Sequence, residues 1–267
     1  MFGFRACAVP LLFLVNLGGF SAAAQDATGG EEQQQLLAKM RKYAQQYVSN
    51  LPNFLCVQVT EQFQSGRKAT HWRQGDTLTS RLVFNQGRED RRLELVNGRP
   101  AHGGRQHWTR PLTTEGEFGI LMDRIFSIAS ATQFAWNSWD AIDGRRVGVF
   151  DYSVDAEHST LRLSLSDLEQ AILPYHGSLY GDPETGAIWR ISSTSSHIPK
   201  KLETRNISTT IDYQEVAIGE TNYLLPVRAT VLVDIGSQHL RNEIRFESYR
   251  KFEADSTITY GSGDPQH

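Results

Sequence analysis

The chain has 267 residues, 39% of them hydrophobic and 21% charged, an ordinary globular composition that excludes collagen-like, low-complexity and strongly disordered classes. Its 27 basic and 30 acidic side chains leave a net charge of −3, so it lacks the positive field that nucleic-acid or anionic-lipid binding draws on, and no nucleic-acid partner is expected. Beyond the first two dozen positions no apolar run reaches the 18 or more residues of a membrane-spanning helix, so the mature chain is expected to have none.

Residues 1–24 read as a secretory signal. Arg5 gives a positive start, residues 6–20 form an apolar run, and Ser21-Ala22-Ala23-Ala24 offers a small-x-small cleavage site before Gln25. The alternative is an N-terminal membrane anchor, but the run is short for the roughly 30 Å of a hydrocarbon core. The expected location is therefore periplasmic or secreted. Cleavage removes Arg5 and no acid, leaving 243 residues with 26 basic and 30 acidic side chains, a net of −4. It also removes Cys7, so Cys56 is the only mature cysteine and no internal disulfide can form. A lone thiol in an oxidising compartment is either buried or paired between chains. In Phe54-Leu55-Cys56-Val57 burial is expected, the thiol packing as a small hydrophobe.

Residues 25–30 read as a flexible leader, 31–255 as a single β-rich domain and 256–267 as a flexible tail. Leu36, Met40, Tyr43, Tyr47 and Leu51 recur at intervals of four and three, which predicts a helix over 31–50 that Pro52 stops. Period two follows: Leu55, Val57, Val59 and Phe63 alternate with polar residues, as do Leu78, Leu82 and Phe84, and the strand over 91–96 runs into the hairpin turn Asn97-Gly98. The exception is 114–130. Thr114-Glu115-Gly116-Glu117 reads as a capping box, and Phe118, Leu121, Met122, Ile125, Phe126 and Ala129 fall on one helical stripe. Inserted between two groups of strands, this helix is expected to lie across the sheet that both build. Strands resume at Phe134, turn at Asp143-Gly144, and return through Val147, Val149 and Tyr152 to Leu161, Leu163 and Leu165. A further turn is expected at Asp182-Pro183-Glu184-Thr185-Gly186. Tyr223, Leu225, Val227, Ala229, Val231, Val233 and Ile235 then occupy seven successive alternate positions, one buried face. Arg241, Glu243, Arg245, Glu247 and Lys251 alternate with apolar residues as a solvated outer ladder. The predicted architecture is α+β, an antiparallel sheet with helices across one face.

Motifs of chemistry are sparse. His102 and His107 are five apart in a Gly-rich loop, a spacing that fits no recurrent zinc pattern, and neither a metal nor another cofactor is expected. Ser153, Ser178 and Ser237 lack a nucleophile elbow, and no phosphate-binding loop follows a strand. Asn206-Ile207-Ser208 matches a glycosylation acceptor inside a predicted strand. The aromatic residues Phe134, Trp136, Trp139, Phe150, Tyr152 and Trp189 concentrate in the middle strands, where they either fill a core or line a cavity for an apolar ligand.

Gly177-Ser178-Leu179-Tyr180-Gly181-Asp182-Pro183-Glu184-Thr185-Gly186-Ala187-Ile188-Trp189-Arg190-Ile191, taken with the order of elements, resembles the periplasmic lipoprotein-carrier superfamily and its sensor and receptor relatives. The segment Phe246-Glu247-Ser248-Tyr249-Arg250-Lys251-Phe252 is similar to uncharacterised secreted bacterial proteins. The resemblance implies a strongly curved, incomplete antiparallel barrel covered by helices and enclosing an apolar cavity. On that footing the expectation is a non-enzymatic exported protein that binds a lipid or acyl chain through Phe118, Met122, Phe126, Trp136, Phe150 and Trp189. Two alternatives stay open: a cell-envelope scaffold or interaction module with a filled core and a protein partner, and a hydrolase of unknown substrate.

Overall fold

The computed structural model describes residues 30–66, 68, 70–101, 117–166, 169–195, 197–200 and 203–252. The expected signal, most of the leader, the tail, the loop holding His102 and His107, and residues 114–116 of the capping box lie outside the described residues. Helix α1 is Glu31–Asn50, with Glu31 and Glu32 at its positive end. Strands β1 (Phe54–Ser65), β2 (Arg73–Asn85), β3 (Arg88–Val96) and β4 (Arg99–Pro100) follow. Helix α2 (Ile120–Phe126) precedes β5 (Gln133–Ile142), β6 (Arg145–Val154), β7 (Arg162–Ser166), β8 (Glu169–Ile172) and β9 (Tyr175–Gly181). The chain then runs through β10 (Ile188–Ser195), β11 (Thr204–Ile218), β12 (Thr221–Ile235) and β13 (Gln238–Lys251).

Eleven of these strands make one antiparallel sheet in the order β4-β3-β2-β1-β13-β12-β11-β10-β9-β6-β5, and β7 and β8 form a separate two-stranded sheet. The sheet is curved and does not close: β5 and β4 are its edges. Its curvature has a local cause. Ladders shift register between Leu55 and Val57, Glu61 and Phe63, Trp136 and Ser138, Ile188 and Arg190, and Asp212 and Tyr213, and each such irregularity bends and twists its strand. Asn97-Gly98 and Asp143-Gly144 adopt left-handed backbone at both residues, the geometry of a tight hairpin whose twist matches the strands.

The core lies on the concave face. Helix α1 crosses it over a seat of missing side chains: Gly148 and Gly181 are cross-strand partners on β6 and β9. A Cβ at Gly148 would overlap Leu36, and one at Gly181 would overlap Met40. At the end of β9, Asp182 Oδ1 accepts hydrogen bonds from Glu184 N (3.0 Å), Thr185 N (2.8 Å) and Thr185 Oγ1 (2.9 Å), closing the expected turn. Lys39 Nζ donates to Pro183 O in that turn (2.9 Å), and Gly186 lets the helix backbone come close. Further along, Tyr47 Oη donates to Leu224 O (2.9 Å).

Two expected patterns are interrupted. The helix expected over 114–130 is reduced, within the described residues, to Ile120–Phe126, because Gly119 takes φ 111° and breaks the helical path; a short 3₁₀ turn, Ile128–Ser130, ends it. The seven-residue alternation of β12 is broken at Val227, where the ladder to β11 passes from Arg228 to Pro226.

Candidate functional site

Helix α2 and the turn before it sit on the concave face at the part of the sheet richest in aromatic rings. Phe118, 1% exposed, is enclosed by Phe54 (centroids 5.3 Å apart), Phe246 (5.4 Å), Phe84 (6.1 Å) and Tyr249 (6.5 Å). Met122 and Ile125 are fully buried, and Phe126 stacks on Phe134 at 5.3 Å. Trp136 meets the edge of Phe150 at 5.2 Å and of Trp139 at 5.0 Å. Five of the six residues expected to line an apolar site, Phe118, Met122, Phe126, Trp136 and Phe150, thus belong to one continuous core with Leu36, Met40 and Tyr47 of α1.

Trp189 stands apart from that core. It lies at the irregularity after Ile188, and the Arg145 guanidinium is 4.0 Å from its ring centre. Arg145 has the parity of Val147 and Val149 on β6, opposite to Gly148 and Phe150 under α1, so Trp189 packs on the convex face. The irregularity leaves Trp189 and Arg190 together on that side, between the core residues Ile188 and Ile191. Tyr249 is the converse case. The register shift on β13 follows Glu247, Ser248 takes φ 58°, and Tyr249 turns inward onto Phe54 at 5.5 Å.

The polar part of the concave face was not read from the sequence. Glu117, expected as a capping residue, is fully buried, with Oε2 3.5 Å from Arg91 Nη2. Arg91 also stands 3.8 Å from Glu89. Register explains the pair on β3: Glu89 is opposite Phe84 and Arg91 opposite Leu82, both inward-facing core residues of β2. That shared parity with Leu93, which pairs with the buried Ser80, is the signal that could have found them. For Glu117 the local sequence offers no such signal. Desolvation raises its carboxyl from 4.5 to about 8 against the opposing pull of Arg91. Burial likewise pushes the Cys56 thiol up to about 12 and holds the Tyr47, Tyr213 and Tyr249 hydroxyls well above the usual phenol value.

Other features lie elsewhere. An open pocket of about 270 Å³ at the β1–β2 hairpin is lined by Gln64, Ser65, Gly66, His71, Arg73 and Gln238. On the convex face Arg241 is wedged between Phe63 (4.7 Å) and Trp72 (4.5 Å), and Arg245 pairs with Glu61 at 3.1 Å. Ser178 Oγ donates to Asp151 Oδ1 (2.6 Å). Among the described residues no three His, Cys, Asp or Glu side chains gather as a metal set would, and no helix is long and apolar enough to cross a membrane.

No protein-family model and no curated protein matches the chain. Among solved structures it is similar to a LolA superfamily protein from Nitrosomonas europaea, at 9% identity over 83% of this chain and 94% of the other, with a TM-score of 0.33. It is also similar to a domain from Vibrio parahaemolyticus described as an outer membrane lipoprotein-sorting protein, at 10% identity over 82% and 92%, TM-score 0.37. A DUF1329 family protein from Desulfovibrio piger matches at 8% identity over 83% and 95%, TM-score 0.41.

Proposed function

We propose that the chain is an exported, non-enzymatic protein that binds an acyl chain or similar apolar ligand between the concave face of its sheet and α2. The observation carrying this reading is the cover: one short helix, entered through the left-handed Gly119, sets Phe118, Met122 and Phe126 on a continuous aromatic surface of an unclosed sheet. A seven-residue helix contributes little stability of its own and is held by the face it covers. A ligand then enters by taking the place of these side chains, exchanging one apolar contact for another, while Trp136 and Phe150 supply the floor. The N-terminal signal pattern supports export, and the resemblance carried by residues 177–191 agrees with this reading.

Native mass spectrometry of gently extracted protein, together with titration by an environment-sensitive fatty-acid probe, tests it. Co-purified lipid, or saturable probe binding at micromolar concentration, is expected; repeated preparations that carry no lipid and bind no probe overturn it. A second reading, an envelope interaction module, is favoured by the dense enclosure of Phe118 and by the convex row Arg241, Glu243 and Arg245. It predicts capture of an envelope protein that is lost when Arg241, Arg245 and Lys251 are reversed in charge.

A further inference from the structure

The pocket at the β1–β2 hairpin gathers donors and no acid. Gln64 comes from β1, Arg73 from the start of β2, Gln238 from β13 and His71 from the turn, and no carboxylate lines the space among the described residues. Arg73 makes no ion pair among the described residues, unlike Arg81 and Arg190, which hold Glu94 and Asp212. The acids on the same reach of the sheet are engaged elsewhere: Glu61 by Arg245 (3.1 Å), Glu243 by Arg241 (3.1 Å), Asp76 by Asn97 (2.7 Å) and Asp234 by His239. Glu203, whose carbonyl accepts from Gly236 N in the β12–β13 turn, does not line the pocket. His71 has Nδ1 3.0 Å from Thr70 Oγ1, and its Nε2 is unengaged.

Register places these donors. Gln64 continues the alternation of the buried Gln58 and Thr60 on β1 and pairs with both Arg73 and Leu240, so it stands with Arg73 at the end of the concave face, far along β1 from the Phe54 that meets Phe118. The hairpin is braced from behind, since Arg241 is held between Phe63 and Trp72 on the convex face and Ser65 Oγ donates to His71 O (2.7 Å) across the turn. The strands carrying the donors are thus fixed before any ligand arrives. We propose that this pocket binds a phosphate group, with the Arg73 guanidinium as its fork and the Gln64 and Gln238 amides and His71 as further donors. A carboxylate is satisfied by the fork alone, whereas a phosphate monoester presents three oxygens to this larger set. One phosphate held by one guanidinium needs no net positive charge on the chain. The phosphate is either the head group of an amphiphile lying along the concave face, an extension that rests on the function proposed above, or a free anion.

Three probes test it on the full chain at fixed ionic strength: inorganic phosphate, a short-chain lysophosphatidic acid, and the uncharged monoacylglycerol of the same chain, the last two below their micelle concentrations. Phosphorus NMR line broadening reads the first and titration calorimetry the other two. Arg73→Gln removes the fork, and Arg228→Gln makes the same charge change at an exposed position on the convex face. Arg73→Gln is expected to weaken both phosphate probes about tenfold or more and to leave the monoacylglycerol unchanged. Gln238→Ala changes no charge and is expected to weaken the same two probes about fivefold. Arg228→Gln is expected to move none of the three by more than about twofold. Because these side chains are exposed, urea midpoints should stay at the wild-type value. Arg73-dependent binding of both phosphate probes at equal affinity supports the pocket with a free anion as occupant, and a lysophosphatidic acid held about tenfold more tightly supports it with a head group. Arg73-dependent phosphate binding without any monoacylglycerol binding supports the pocket and overturns the apolar-ligand reading. Monoacylglycerol binding beside phosphate probes that ignore Arg73→Gln and Gln238→Ala, or that fail to bind, overturns the pocket and leaves the apolar-ligand reading standing. A loss that Arg228→Gln reproduces in full also overturns the pocket, since charge anywhere on the sheet then suffices.

Discussion

Phe118→Ala tests how firmly the cover belongs to the core. The ring is 1% exposed and has four aromatic neighbours within 6.5 Å. Truncating an enclosed Phe to Ala costs about 3–5 kcal/mol, and ring pairs of this geometry each carry about 0.5–1.5 kcal/mol beyond area burial. The loss belongs in the upper half of that range, about 4–5 kcal/mol, a third or more of the stability of an ordinary domain. Urea unfolding at pH 6.5, where Glu117 is protonated, reads it by far-UV circular dichroism. With a denaturant slope of about 2.5 kcal/mol/M the midpoint falls by roughly 1.8 M. Phe118→Leu keeps most of the volume and is expected to lose only about 1.5 kcal/mol. A loss below about 1 kcal/mol for the alanine variant would mean that the ring is not enclosed by the sheet, and the seating of α2 would have to be abandoned.

Met122→Ala should weaken binding of the fatty-acid probe beyond what its stability loss explains, whereas Trp189→Ala, on the convex face, should leave probe affinity unchanged; equal effects would move the site off α2. Gly186→Ala combines φ 75° with a Cβ driven into the Lys39 backbone, while Gly98→Ala has φ 73° and open space; the first should cost about 2–4 kcal/mol by urea unfolding and the second about 1 kcal/mol. Asp182→Ala removes three hydrogen bonds from the β9–β10 turn and should cost about 2 kcal/mol; no change would show that the turn holds without its side-chain cap. Because Glu117 has its carboxyl raised in the folded chain, its contribution is complete below the ordinary carboxyl range and is lost as pH rises to about 8. Unfolding free energy should therefore fall by on the order of 1 kcal/mol per pH unit over that window, and Glu117→Gln should flatten the slope.

Local pattern made much of this fold legible. Leu36, Met40 and Tyr47 recur at helical spacing and form the buried stripe of α1. Asn97-Gly98, Asp143-Gly144 and Asp182-Pro183 mark turns because those residues tolerate the backbone that turns require. Alternation placed residues on one buried face where a ladder ran unbroken, as with Leu82 and Phe84 on β2. It failed where a ladder shifts register, since one residue of slip exchanges the two faces: the seven-position alternation of β12 falls out of phase at Val227.

The sequence by itself therefore determined the class of the chain, its order of elements and most of its turns, because helix stripes, strand alternation and turn residues are set by neighbours a few positions away. It also named Phe118, Met122, Phe126, Trp136 and Phe150, which pack together in one core. Tertiary structure alone decided the shape of the sheet, which depends on where ladders shift register, and the seat of α1, which needs Gly148 and Gly181 side by side on strands that are far apart in the chain. It alone decided the fate of Glu117. Read locally, that residue is a polar group near a helix start; its carboxyl is raised only because tertiary packing takes it out of water, against the opposing pull of Arg91 on β3, and burial and charge are sums over everything nearby in space.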